Sequence, residues 1–569
     1  MLALSRAVPG WAQDHAHADM AGVKVLSGDD IKLSAGHMPF RLGKKTGHAM
    51  TINGMMPAPL IRLREGQNAR ISVTNTLTDQ DTSIHWHGLL LPFQMDGVPG
   101  ISFPGIKPGE TFVYEFPVRQ SGTYWYHSHS NMQDAMGMYG AIVIDPAQPD
   151  PIAYDREHVL ILADWSFEHP HMLLRKLKQM GGYFNRQKQT LSGLLKGRDQ
   201  KEADRLMWGA MRMDPTDISD ISSPTYTYMI NGHDTGGNWT GIFTPGERVR
   251  LRIINASTMT NFNLRIPSLP MTVIAADGQN VTPVETDEFQ IAIAETYDVI
   301  ITPPDAKAYA VVAEAIDRSG QCRATLAPQM GMIAPVPPLR ERPLLTMKDM
   351  GMSHDMGGMD DSKMDHSKMD HSAKGDDMGG MDHMSMKMLD PDAAPQVKRG
   401  PGVASLTATP IDRLGERPTG LESVDHRVLT YRDLKARDSI MDQRKPGREI
   451  EVHLTANMER YMWSFDGIKF SDRAEPLAFT HNERVRIKLI NHTMMPHPIH
   501  MHGHFFELVN GQEGRQPVKH TVNVLPGGKV SFDMTADALG DWAFHCHMLM
   551  HMHSGMFRVV TVRHGAAHG

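Results

Sequence analysis

Four His-x-His units stand in repeat-related positions, His85/His87, His127/His129, His500/His502 and His545/His547. Imidazole nitrogens are common transition-metal donors. On a β-strand residues i and i+2 share a face while i+1 points away. Each unit therefore projects two imidazoles in one direction, and eight converging rings suffice for a cluster of three metals. The unit His545-Cys546-His547 carries a second consequence, because Cys546 then faces the interior of its own domain. There His497, His551 and Met556 complete a set of two His, one Cys and one Met, the ligand set of a blue-copper centre. Ser128 occupies the position equivalent to Cys546 in the earlier unit, so one such mononuclear centre is expected and not two. The backbone on either side of Cys546 leads directly to His545 and His547, a short covalent route for electrons between the two centres. One His-x-His alone is more often an incidental pair, and His15, His17, His37, His48, His492, His504 and His553, which fall outside the repeat-related pattern, are read as solvated or hydrogen-bonded histidines.

The elements that must position these residues read as strands. Short alternating or apolar runs such as Arg70–Val73, Phe112–Val118, Val159–Ala163, Arg248–Ile254 and Arg484–Ile490 are separated by Gly, Pro, Asn and Asp. Asn53-Gly54, Gly66 and Arg70–Asn75 recur as Asn231-Gly232, Gly246 and Arg248–Asn255, and more loosely as Asp466-Gly467 and Arg484–Asn491. Three copies imply three similar β-domains. The first and third share more: Pro108–His129 and Pro526–His547 each span 22 residues, open on Pro-Gly and close on His-x-His. The middle copy carries no His after Asn255 and reads as a spacer. Helical spacing of Leu174, Leu177, Leu191, Leu194, Leu195, Leu206 and Ala210 marks an insertion at about 167–213.

At 569 residues the chain exceeds one domain, and its 43 Met and 31 His over-supply thioether and imidazole, both transition-metal donors. With 58 Lys+Arg against 65 Asp+Glu and no basic run, a nucleic-acid partner is excluded. No apolar run is long enough to span a bilayer. Residues 1–20 read as a tail, its start resembling the end of a truncated export signal. With Cys546 a ligand, Cys322 is expected as a free, buried thiol. The domains are placed at 21–150, 151–335 and 401–569, with a flexible Met/His/Asp-rich linker at 336–400. Within it Met347–Met388 holds 12 Met and 4 His in 42 residues and no aromatic residue, too little apolar mass to fold, and is a candidate for additional copper.

The motifs HWHG (His85–Gly88), HSH (His127–His129), HPIHMH (His497–His502) and HCHMLMHMHSGM (His545–Met556) resemble those of three-domain multicopper oxidases such as laccases. With Asp81–Gly88, Met95–Gly100, Gly122–Ser130 and the Met-rich insert, they are most similar to the periplasmic copper-resistance branch. The resemblance implies an all-β chain of three cupredoxin-like Greek-key sandwiches holding four copper ions. It assigns His497, Cys546, His551 and axial Met556 to a type 1 copper, and His85 and His500 to a type 2 copper. One type 3 copper would take His87, His127 and His547, the other His129, His502 and His545. It further implies oxidation of a reductant at type 1, reduction of O₂ to water at the trinuclear cluster, a periplasmic location and a monomer. O₂ reduction consumes protons, and Asp96 matches the family's acid beside type 2. Where many relatives carry a second carboxylate this chain has Met552. Three readings of the substrate stay open: Cu(I), captured by soft thioethers; phenols, as in laccases; or copper sequestration with oxidation secondary.

Overall fold

The computed structural model describes residues 24–351, 394–440 and 442–565. The repeat seen in the sequence is a repeat of hydrogen bonds. Asn53-Gly54, Asn231-Gly232 and Asp466-Gly467 all take positive φ, a hairpin turn whose two left-handed residues favour Asn or Asp followed by Gly. In each copy the turn's side chain accepts a backbone N–H one strand away: Ser34 N to Asn53 at 2.6 Å, Ile161 N to Asn231 at 2.8 Å, His453 N to Asp466 at 2.8 Å. The asparagine ending the next shared strand repeats likewise. The Nδ2 groups of Asn75, Asn255 and Asn491 donate to the carbonyls of Ile106, Ile291 and Val524, at 2.8, 3.1 and 2.9 Å.

Around these pins the strands form six sheets, two per repeat. Largely apolar stretches become central strands: Thr296–Ile301 and Tyr309–Ala315 are buried at every residue, Asp298 and Glu314 included. Amphipathic ones alternate, as in Asn68–Asn75. The insertion expected at 167–213 is helical but broken, into α1 (Pro170–Gln179), α2 (Leu191–Leu195) and α3 (Glu202–Ala210). Leu174 and Leu177 are buried, whereas Leu191, Leu195 and Leu206 are exposed, and α3 buries Trp208 in place of Leu206.

The middle domain is more than a spacer. Toward the first it presents Glu157 to Arg62 and Asp298 to the Thr123 hydroxyl (3.0 Å). Toward the third it presents Asp277 and Glu295 to the buried Lys519, 3.1 and 3.0 Å from its Nζ. The expected flexible linker is ordered at both ends. Met347–Met350 form a 3-10 turn in which Asp349 pairs with Arg413 (2.7 Å), and Ala394 and Val397 are buried. The rest of the Met-rich insert, residues 352–393, lies outside the described residues, as do the N-terminal tail with the proposed signal remnant, His15 and His17. Among the described residues no helix is long and apolar enough to cross a membrane.

Candidate metal centres

In the first domain the short strand His85–His87 pairs antiparallel with Gly122–His127, setting His85 opposite His127. In the third, His497–Met501 pairs with Gly540–Cys546, setting His500 opposite His545. Within each domain two His-x-His units thus lie side by side. The residue between each pair goes the other way: Trp86 packs on Tyr114 with rings 5.1 Å apart, and Met501 is buried. All eight rings meet between the two domains. His87 stacks on His500 at 3.7 Å between centroids and His85 on His502 at 3.9 Å, each pair crossing the interface.

Nitrogen by nitrogen, the rings are prepared for metal. The Nδ1 of His85 lies 2.8 Å from the Asp96 carbonyl, that of His127 2.9 Å from Ser128 O, that of His500 2.8 Å from His520 O and that of His545 3.0 Å from Cys546 O. An Nδ1–H donating to each carbonyl leaves Nε2 with a free lone pair. The Nε2 atoms of His85, His87, His127, His500 and His547 are buried without a hydrogen-bond partner. Orphaned buried nitrogens are costly unless something binds them. Burial first, then the neighbouring imidazoles, holds His87, His129, His500 and His502 well below the usual histidine range, and His545 falls to about 4. For these rings burial favours the neutral form, the one that ligates.

Three compact groups arise, each with donor atoms within 4.8 Å of one another: His129/His502/His545, His85/His500/His502 and His87/His500/His520. The first is one expected type 3 triad; its Nε2 atoms stand 3.5 Å apart for His129–His545 and 3.1 Å for His502–His545. The second unites the two expected type 2 ligands. The other expected triad, His87, His127 and His547, has neighbouring rings, 5.0 to 5.9 Å between centroids, without forming such a compact group.

The third group adds His520, which the motifs did not single out. It is buried, its Nε2 has no partner, and a Cβ at Gly88 (φ +82°) would fall 2.4 Å from that nitrogen, so only glycine leaves room for it. No spacing marks it in the sequence; the fold brings it in because it immediately precedes Thr521, the register partner of His500.

Asp96 is buried at the same junction. Its Oδ2 lies 2.9 Å from Nδ1 of His502 and its Oδ1 3.4 Å from Nδ1 of His85, so this one residue orients a ring from each domain, His502 by its carboxylate and His85 by its carbonyl. The next residue, Gly97, has φ +79°, and a Cβ there would strike Ile84 O at 1.8 Å. The Asp-Gly turn is therefore set by close backbone approach.

The second centre lies inside the third domain. Cys546 Sγ is 3.5 Å from His497 Nδ1 and 3.9 Å from His551 Nδ1, and the two nitrogens are 3.3 Å apart. Donors about 2 Å from a shared ion have roughly these separations. Met556 is fully buried, and its carbonyl accepts the Cys546 N–H at 3.1 Å. Here the rings are held by the opposite nitrogen: His497 Nε2 is 2.7 Å from the Thr493 hydroxyl, His551 Nε2 2.8 Å from Asp220 Oδ2. Trp463 stacks on His551 at 3.5 Å. Asp220, from the middle domain, also accepts from the Tyr461 hydroxyl at 2.6 Å, and burial raises it to about 7. Ser128, at the position matching Cys546, spends its hydroxyl on Gln133 (2.7 Å), and no second mononuclear group is found among the described residues.

Of the unpatterned histidines, His492, His504 and His553 are hydrogen-bonded, His492 by the Thr407 N–H at 2.9 Å. His37 and His48 stack on each other, 4.7 Å between centroids. Cys322 is a buried free thiol.

The chain matches multicopper oxidase family models over residues 36–149, 156–331 and 443–566. It is 49% identical to copper resistance protein A of Escherichia coli, over 94% of this chain and 93% of that one. The protein of the same name from Pseudomonas syringae pv. tomato is 47% identical, over 97% and 95%. Among solved structures, Fet3p, a multicopper oxidase that functions in iron import, superposes with a TM-score of 0.64 at 19% identity, covering 94% of this chain and 90% of its own. Two donor clusters fit for copper, three repeated sandwiches and these matches agree: the chain belongs to the multicopper oxidases.

Proposed function

We propose that this oxidase takes Cu(I) as its reductant and O₂ as its acceptor, four Cu(I) ions and four protons giving four Cu(II) and two waters, in the periplasm. In this reading it holds four copper ions: one with His497, Cys546, His551 and Met556; one with His85 and His500; two with His87, His127, His129, His502, His545 and His547. When bound, copper supplies the one-electron step at the first centre and multi-electron reduction at the second.

One observation carries the choice of substrate. A cavity of about 490 Å³ opens beside the Cys546 centre, lined by Met211, Met213, Met458 and Met494, with Asp214 and Asp217 at its edge. Thr493 also lines it, and the Thr493 hydroxyl contacts His497. Thioethers favour the soft Cu(I), and carboxylates suit the harder Cu(II) product. Met211, Met213 and both Asp come from the end of the helical insertion, Met458 and Met494 from the third domain. The chain's other residues then have separable tasks. Asp220 and Thr493 hold the two imidazoles beside Cys546, the backbone of Cys546 leads to His545 and His547, and Asp96 fixes His85 and His502 where protons are consumed.

Met458→Leu with Met494→Leu is the test. The expected result is a KM for Cu(I) raised about 10-fold or more with phenol oxidation unchanged. Equal losses with both reductants overturn the assignment, and phenol oxidation as the preferred reaction of the intact chain supports a laccase-like enzyme instead. Copper beyond four ions that is never turned over would mark sequestration.

A further inference from the structure

A second gathering of soft donors lies outside both centres. The loop following His129 turns beneath the start of α1, and between them opens a cavity of about 240 Å³. Met50, Met132 and Met136, all buried, form its floor, and His169 and His171, both exposed, its rim. Three domains meet here: His553 of the third places its Nε2 2.6 Å from the carbonyl of Asn131, a further lining residue.

The remaining polar lining is committed elsewhere. Gln133 Oε1 accepts the hydroxyls of Thr82 and Ser128, both at 2.7 Å, and its Nε2 donates to Gln80 Oε1 (2.9 Å) and Asp81 O (2.8 Å). No carboxylate lines the cavity among the described residues. The donors left are thioethers and imidazoles, which select a soft monovalent ion over a hard divalent one. His169 Nδ1 accepts the His171 N–H at 3.3 Å as the helix cap, so its ring is fixed, and His171 stacks on it with centroids 5.2 Å apart. The His171 ring nitrogens make no hydrogen bond among the described residues. Methionine's ordinary use is to fill irregular gaps in a core, yet here three border a void that they leave open toward solvent.

We propose that this cavity is a separate Cu(I) site, held by Met50, Met132 and Met136 with His171 as the imidazole donor and His169 as its positioning neighbour. It does not depend on Cu(I) being the reductant, because it shares no residue with either copper centre or with the methionine cavity beside Cys546.

Ag(I), a redox-silent stand-in for Cu(I), is the probe, applied to the copper-loaded full chain. An anomalous silver peak between Met132, Met136 and His171 is expected in silver-soaked crystals. Equilibrium dialysis should find about one Ag(I) per chain fewer in Met132→Leu/Met136→Leu, a volume-conserving pair. His171→Ala should weaken that silver about 10-fold. Blue colour and phenol turnover should be unchanged in both, and Met458→Leu/Met494→Leu should keep this silver. No silver density in the cavity, or undiminished Ag(I) in the double variant, overturns the proposal. Should the double variant lose its blue colour through misfolding, the surface change His171→Ala decides, and wild-type silver affinity there overturns it equally.

Discussion

Both centres are built on imidazoles, held in opposite ways. At the domain interface, four of the eight imidazoles are pinned by Nδ1 to backbone carbonyls and so present Nε2. Beside Cys546 both imidazoles are pinned by Nε2, to the Thr493 hydroxyl and the Asp220 carboxylate, and present Nδ1. Three of these carbonyls lie at the ring's own strand or at the start of the neighbouring one, and the fourth, of Asp96, in the 3-10 turn that follows, so backbone within each domain holds these rings. A carboxylate 331 residues away holds one only when the middle domain is docked. The interface cluster is thus fixed by secondary structure and domain pairing, the mononuclear centre by side chains that a single substitution can remove.

The comparison breaks most sharply at Cys546. Cys546→Ser should abolish the blue colour and turnover and remove about one copper per chain, leaving the interface cluster loaded. Loss of all copper would show that the two centres are not independently built.

Removing the ring-holding carboxylates should produce mirror-image defects, because partners of metal-bound imidazoles typically matter by 10–100-fold in affinity or activity. Asp96→Asn should lower O₂ reduction within that range while leaving the blue colour intact, since His502 loses its charged orienting oxygen whereas His85 keeps the backbone carbonyl of residue 96. Asp220→Asn should shift the blue absorption and the potential of the mononuclear centre and leave the cluster's magnetic signature unchanged. A smaller effect is expected of Thr493→Ala, which deletes one neutral hydrogen bond worth about 1 kcal/mol. The reductive half of the cycle should slow a few-fold, visible as stopped-flow bleaching. If Asp220→Asn instead perturbs the cluster, the middle domain acts on both centres at once.

What the sequence disclosed follows the same division. The threefold repeat was legible because Asn53-Gly54 and its copies must supply two left-handed residues, and few residue types do. The ligands were legible because a strand's period of two converts His-x-His into paired rings. Asp220 was not: it sits in a loop with no periodicity, and its contact with His551 exists only through domain docking. His520 stood one position from a strand partner of His500, but a lone histidine among polar neighbours carries no spacing signal. The middle domain read as a spacer for the same reason. Its contribution is carboxylates, Asp220, Asp277, Glu295 and Asp298, each of which gains meaning from a partner in another domain.

The smallest effect at neutral pH, and a sharp one in acid, is expected at the seam between the first two domains. Glu157 touches Arg62 of the first domain and Arg252 of its own, 2.8 Å from the latter's Nε. Burial alone would raise the Glu157 pKa, but Arg252 and Arg62 outweigh it and hold the carboxyl below the usual range. A depressed carboxylate contributes stability that is full above its unfolded pKa, about 4.3, and is lost as pH falls below that toward the folded value. The first domain, on one side of this seam, carries one half of the interface cluster, whereas the Cys546 centre sits within the third domain. Acidification below about pH 4 should therefore disturb the cluster's magnetic signature before the blue colour fades. Glu157→Gln, which leaves the partly exposed Arg62 with Asp145 and the buried Arg252 with Asp298 as their remaining counter-charges, should cost about 2 kcal/mol of stability and bring that ordered loss to milder pH. The readout is parallel titration of blue absorbance and cluster signal. Coincident loss in the wild type, or an unchanged acid midpoint in the variant, would mean that the seam does not support the cluster and that the two centres stand or fall together.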